Sequence, residues 1–216
     1  MKKLLKYKTL DSFTLAEILI TLGIIGIIAA ITIPMIINKS QEKISASGLK
    51  KAYTQLNQVY MQILKENGDS FVNVANNSDD LRDKFAPYYK AIKSCDDGTT
   101  GCFTYSDVKF KWLNGVPTNF SSDSSFVSAD GQAFNFYLSK ADCTGTRGTL
   151  SQKFCGEAYI DINGKKNPNQ FGKDIFVFYI LSNKIAPAGS PGDIVDCTTE
   201  GTGYGVGCAF KYLYEE

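Results

Sequence analysis

The run from Phe13 to Ile37 constrains this chain more than any other feature. Eighteen of its 25 residues are Ala, Ile, Leu, Met or Phe, and Glu17 is its only ionisable side chain. As a helix the run is roughly 37 Å long, enough to cross a hydrocarbon core of about 30 Å. Such a chain is expected to span a membrane once. Four lysines precede it, Lys2, Lys3, Lys6 and Lys8, and they keep the N-terminus cytoplasmic while the remainder is exported. A cleaved secretory signal fits less well, because its apolar run is only about 7–15 residues long. The best small-residue site, Ile28-Ala29-Ala30, also lacks a small residue three positions before the cut.

Composition narrows the function. With 23 Lys+Arg against 22 Asp+Glu the net charge is +1, which lacks the electrostatic footprint of a dedicated nucleic-acid binder, so no nucleic-acid partner is expected. The chain has no histidine, which excludes Ser-His-Asp and Cys-His catalysis and His-ligated zinc or haem. No enzymatic activity is expected. All six cysteines lie at or beyond Cys95, and none forms a C-x-x-C pair, a pattern of disulfide staples in an oxidising, extracytoplasmic compartment. Six cysteines allow 15 connectivities. Short loops favour pairing neighbours: Cys95 with Cys102, Cys143 with Cys155, Cys197 with Cys208.

Glu17 needs an explanation, since a carboxylate inside a membrane helix costs ~2.5 kcal/mol or more when nothing offsets it. Either a partner neutralises it or it lies shallow enough to reach headgroup water. Here the residues carry a resemblance. Ser12-Phe13-Thr14-Leu15-Ala16-Glu17-Ile18-Leu19-Ile20-Thr21-Leu22, behind a short basic leader, resembles the prepilin N-terminus of type IV pilins and type II secretion pseudopilins.

The resemblance covers about 30 residues, and Ser12 stands where the family usually has Gly. It implies cleavage between Ser12 and Phe13 by a membrane prepilin peptidase, N-methylation of Phe13, and Glu17 as the family's conserved-offset acid. Gly26 and Pro34 match the positions at which family helices weaken in assembled fibres. The implied protein is a structural subunit stored in the inner membrane, with its head extracytoplasmic. It polymerises through its N-terminal helix into a type IV pilus or type II secretion pseudopilus. The implied partners are other pilin or pseudopilin subunits, the peptidase and the inner-membrane assembly machinery. In a staggered bundle the carboxylate of one subunit's Glu17 meets the new amine of the next, so a charge costly in one helix registers neighbouring helices.

Beyond Pro34 the helix is expected to continue. Ile44, Tyr53, Leu56, Val59, Tyr60, Ile63 and Leu64 recur at three- and four-residue spacing, and Asn67-Gly68 then stops it. This divides the chain into a leader (1–12), a membrane and polymerisation helix (13–37), an amphipathic continuation (38–67) and a head (68–216). In the head, a helix over Asp79–Lys93 is expected with Ser78 as its cap and Pro87 interrupting it. Strands are expected over 103–112, over 125–138 folded back at Asp130-Gly131, over 158–162 and over 174–182. The expected fold class is α+β, an antiparallel sheet packed on the long helix. The last cysteine pair brackets a Gly-rich tail, residues 200–207, similar to the C-terminal disulfide loop of many pilins.

The segment from Asp161 to Asp174 is a candidate calcium site. Asp161-Ile162-Asn163-Gly164 places oxygens on alternate positions of a tight turn, and Asp174 stands ready to close it. Some pseudopilins carry calcium near the end of the sheet. Against a metal, Lys165, Lys166 and Lys173 crowd the segment, and an Asx turn between strands needs no ion, so a structural turn and no cofactor are expected, with calcium the alternative. Two other functions stay open: a membrane-anchored binding module or adhesin that never polymerises, and a DNA-uptake pilin, for which no basic stripe is found.

Overall fold

A computed structural model describes residues 14–121, 123–149, 151–199 and 204–215. It divides into two compact units, residues 1–42 and 43–216. Helix α1, Leu15–Glu66, carries Pro34 within it. Of the first unit, Leu15–Ile36 is one span long and apolar enough to cross a membrane, and none of its apolar window is buried.

The second unit begins inside α1. After it come α2 (Ser78–Phe85) and a 3-10 turn (Ala86–Tyr89), then strands β1 (Lys93–Cys95), β2 (Phe110–Lys111) and β3 (Pro117–Thr118). Strands β4 (Ser124–Val127), β5 (Ala133–Leu138), β6 (Gly145–Arg147), β7 (Ser151–Asp161), β8 (Ile175–Leu181) and β9 (Ile185–Pro187) precede α3 (Cys208–Tyr214). The main sheet is antiparallel, ordered β1-β4-β5-β7-β8-β9, with β6 on the N-terminal part of β7. β2 and β3 form a separate ribbon. The protein is therefore α+β, with an apolar N-terminal helix, an antiparallel sheet and three disulfides.

The stripe on α1 is buried. Leu49, Ala52, Leu56, Tyr60, Ile63 and Leu64 pack in one cluster with Phe126, Phe134, Phe136, Phe176 and Phe178 from the sheet. Tyr53 stacks on Phe178 at 5.4 Å, and the Tyr60 hydroxyl donates to the Leu181 carbonyl. α1 ends at Glu66, and the Asn67 side chain then donates to the Ile63 carbonyl at 2.7 Å. Gly68 (φ 72°) then turns the chain, a left-handed exit that glycine makes without steric penalty.

A second core covers the other face of the sheet. Phe103, Phe110, Phe154, Phe171, Val177 and Tyr179 pack there. β8 is consequently buried along its whole length, which is why its sequence is an unbroken apolar run and not an alternation. On this face the Arg147 guanidinium pairs with Glu157, which also accepts from the Tyr159 hydroxyl, and lies 5.2 Å from the Tyr179 ring. Arg82, almost wholly buried, ties α2 to the neighbouring disulfide loop through Asp96 and the Cys95 carbonyl, both at 2.8 Å.

Three expectations need correction. Asn77, not Ser78, caps α2, accepting from Asp80 N at 2.8 Å, while Ser78 Oγ accepts from Leu138 N. The helix does not reach Lys93, because Pro87 brings no N–H to continue the ladder and Lys90 turns left-handed (φ 49°). Of residues 103–112 only Phe110–Lys111 is strand. The aromatic periodicity there is real, but it serves burial: Phe103 and Phe110 stack at 5.6 Å as a plug on the sheet.

Each cysteine bonds its neighbour in sequence: Cys95–Cys102, Cys143–Cys155 and Cys197–Cys208. The last of these joins the segment after β9 to the start of α3. At Gly189 (φ 86°) a Cβ would fall 1.9 Å from the Gly207 carbonyl oxygen, so that approach admits only glycine.

Leu56 is fully buried at the helix–sheet contact. Leu56→Ala is expected to destabilise the head by about 2–5 kcal/mol. Urea unfolding of the detergent-solubilised chain, followed by fluorescence of Trp112, the single tryptophan, measures it.

Candidate functional site

Two places concentrate the residues singled out in the sequence. The first is the start of α1, although Ser12 and Phe13 lie outside the described residues. Thr14 precedes the helix, and Glu17 reaches back to it. Thr14 N and Thr14 Oγ1 both donate to Glu17 Oε2 at 2.8 Å, and Glu17 N donates to Thr14 Oγ1 at 3.2 Å. This is a reciprocal capping box built from Thr14-Leu15-Ala16-Glu17. The T-x-x-E spacing signals it in the sequence. Both bonds fall on Oε2, and Oε1 has no partner among the described residues. Gly26 has nothing within 4 Å of its would-be Cβ, and Pro34 lies inside the helix.

The second place is the loop from the end of β7 to the start of β8. Asp161 is the last residue of β7, and Asp174 immediately precedes β8, so the antiparallel pairing of Asp161 with Ile175 brings the two carboxylates together. Both are buried, at 0% and 1% exposure. Burial, then the Asp174 charge, pushes the Asp161 carboxyl well above the usual carboxylate range, and burial raises Asp174 as well.

Their partners differ. Asp174 is well served: Oδ1 accepts from Gln170 N at 2.6 Å, and Oδ2 accepts from Asn169 N at 2.8 Å and Asn163 Nδ2 at 3.3 Å. It organises the loop. Asp161 Oδ1 accepts from Asn163 N at 3.1 Å, but Asp161 Oδ2 is buried with no partner. Asn163 Oδ1 and Asn169 Oδ1 are buried and unpartnered in the same loop. Asn169, fully buried, went unremarked in the sequence because its place depends on how the loop closes on Asp174.

Three orphaned oxygens beside a second carboxylate form a hard donor set, which suits calcium rather than a softer metal. The lysine objection weakens on geometry. Lys165 Nζ is drawn off to Asp107 at 2.8 Å and sits 5.2 Å from the Tyr105 ring, and Lys166 and Lys173 are exposed. Among the described residues no group of three His, Cys, Asp or Glu side chains is placed to hold a metal. Two carboxylates and two amides are what this loop offers. Compared with protein-family models, with curated proteins and with solved structures, the chain matches none.

Proposed function

We propose that this chain is a pilin-like structural subunit, cut between Ser12 and Phe13 and assembled through α1 into a type IV pilus or a type II secretion pseudopilus. The observation that carries the reading is a single helix with two kinds of surface. Leu15–Ile36 is apolar and exposed all round, whereas Leu49 to Leu64 presents a buried stripe to the sheet. The exposed part is suited first to lipid and then to the same part of neighbouring subunits. The disulfides of the head suit an extracytoplasmic site. Partners are further copies or related subunits, together with the processing and assembly machinery of the inner membrane.

Glu17 has two tasks on this reading. Oε2 closes the capping box, and Oε1, which has no partner among the described residues, meets the α-amine of a neighbouring Phe13. A non-polymerising anchor needs only the first task. Mass spectrometry of the membrane-purified protein is expected to find Phe13 as the N-terminus, carrying one methyl group. An intact Met1 overturns the reading.

Substitution separates the two tasks, because glutamine preserves a capping box while removing the charge. Glu17→Gln is expected to insert and fold normally yet to enter fibres poorly, and wild-type subunits are expected to recruit it better than it recruits itself. Fibre incorporation equal to wild type in a pull-down of sheared filaments removes the registration role.

In the head, the β7–β8 loop is proposed to hold calcium on Asp161, Asn163 and Asn169, with Asp174 shaping the loop and adding charge. A cation between two buried carboxylates relieves their repulsion. Calcium at 100 times its Kd is expected to stabilise the folded chain by about 2.7 kcal/mol. Asp161→Asn is expected to abolish that gain without harming the calcium-free protein. Melting curves with and without calcium decide it, and an unchanged midpoint leaves the loop as a metal-free turn.

A further inference from the structure

The outward face of α1 in the head and the corner around α2 carry opposite charge. At 100° per residue Lys43, Ser47, Lys50, Thr54, Met61 and Lys65 fall within about 60° of one another, on the side away from the buried stripe, and the line they form runs about 33 Å. All six are exposed, Met61 to 59%. From Lys43 to Lys65 the helix has no acid, and Lys43, Lys50 and Lys65 pair with no carboxylate among the described residues. The margins leave this face positive. Lys51 pairs with Asp130 at 2.8 Å, Lys90 is exposed, Glu66 accepts from Tyr88, and Asp69 follows the helix end. Lys211 on α3 is balanced by Glu215 just beyond it. Five lysines thus stand against three acids.

The α2 corner has the other sign. Asp79, Asp83 and Asp96 converge on the buried Arg82 at 3.3, 2.8 and 2.8 Å, and Asp97 N donates to Asp79 Oδ1 at 3.3 Å. One guanidinium serves three carboxylates. Of the other cations nearby, Lys84 pairs with Asp80 at 3.8 Å, Lys93 Nζ donates to the Gly101 carbonyl, and Lys140 at the margin is balanced by Asp142. Five aspartates thus stand against Arg82, Lys84 and Lys93, and Asp83, Asp96 and Asp97 are exposed. No ion pair among the described residues joins this corner to the lysine line.

A surface built only for solubility intersperses both signs, and this one separates them. The spacing of the lysines selects what covers them. Phosphates recur every ~1.7 Å along a nucleic-acid duplex, whereas Lys43, Lys50 and Lys65 are about 10 and 22 Å apart along the helix, too sparse to follow that backbone. An anionic lipid surface acts over a Debye length of ~8–10 Å, which reaches one end of the line and not the rest. The α2 corner of a second copy brings a few discrete carboxylates, and complementary patches of this kind fix the register of a protein contact. We infer that the lysine line on α1 docks the α2 corner of a second copy, with Lys43 and Lys50 meeting Asp83, Asp96 and Asp97. Two different faces meet, so the contact is heterologous, the class from which open helical filaments are built. The inference rests on the pilin-like reading, in which parallel α1 helices set copies side by side.

The test uses the full chain, half of it labelled with heavy nitrogen, as sheared fibres and in phosphatidylcholine vesicles, with a carbodiimide to couple lysines to the carboxylates they touch. Mixed-isotope peptides joining Lys43 or Lys50 to Asp83, Asp96 or Asp97 are expected in both samples. Lys43→Asp with Lys50→Asp, and separately Asp83→Lys with Asp97→Lys, are each expected to lower the fibre yield about fivefold at an unchanged melting temperature. One chain carrying both sets is expected to recover it. If Asp83→Lys with Asp97→Lys does not fold, Asp97→Lys alone takes its place. Fibres of chains that begin at Phe13 but give no such peptide overturn the inference and leave the assembly reading standing. Where no fibres form, that reading falls, and the vesicle cross-links decide the contact. Lysines shielded from acetylation by phosphatidylglycerol vesicles or by duplex DNA, with no mixed-isotope peptide, assign the face to that partner and overturn the inference.

Discussion

The contact between the stripe on α1 and the phenylalanine face of the sheet is the interaction on which the head depends. Leu49, Leu56 and Tyr60 have no exposure at all, and the sheet residues they meet, Phe126, Phe134, Phe136, Phe176 and Phe178, are equally dry. Each large apolar side chain removed from water contributes roughly 1.5–3 kcal/mol, and aromatic pairs such as Tyr53–Phe178 and Tyr60–Phe71 add a directional part. The rest of the head is arranged around that layer. α2 packs beside α1 on the same face through Leu81 and Phe85, and α3 reaches β8 through Ala209 and the Phe176–Tyr212 contact.

Burying one face of a sheet leaves the other to be dealt with. Here the segment between β1 and β4 covers it with Phe103, Phe110 and Phe120, held by the Cys95–Cys102 disulfide and by Arg82. This cover has little regular structure of its own: the β2–β3 ribbon is only two residues per strand. A cross-link there stabilises the folded chain by constraining the unfolded one. Each disulfide thus ties a cysteine outside regular structure, Cys102, Cys143 or Cys197, to one on β1, β7 or α3.

Much of this was legible in the sequence, and the boundary of legibility is physical. The long helix announced itself through period and length, and its end through Asn67-Gly68. The hairpin at Asp130-Gly131 announced itself through its turn, and β8 through its β-branched and aromatic run. What failed were inferences that local pattern alone does not decide. Phe103 and Phe110 look like strand residues because burial recurs, yet the backbone between them turns locally, through Gly101 N to Thr104 O and Val108 N to Tyr105 O, and becomes strand first at Phe110. β9 and α3 are short, and they form because Ile185 and Ala209 have a sheet to pack against, which no local window contains. In the β7–β8 loop Asp161 and Asp174 were visible as acids, but Asn169 became a donor only once Asp174 gathered the backbone N–H groups of Asn169 and Gln170.

Glu17 is an acidic residue in the first turn of α1. Read as a bare charge in an apolar helix, it demands a partner from outside the chain. The capping box supplies one from inside, because Thr14 satisfies Oε2 and the positive end of the helix dipole favours a carboxylate in the first turn. The penalty that made an intersubunit partner necessary is thereby reduced. Yet the hydrogen bonds of the cap are ones that glutamine makes as well, so within the chain only the helix dipole favours a full negative charge at that position. The charge itself, directed through Oε1, is what remains to be used. On the proposed reading a neighbour's amine uses it, and the same residue both begins its own helix and registers the next.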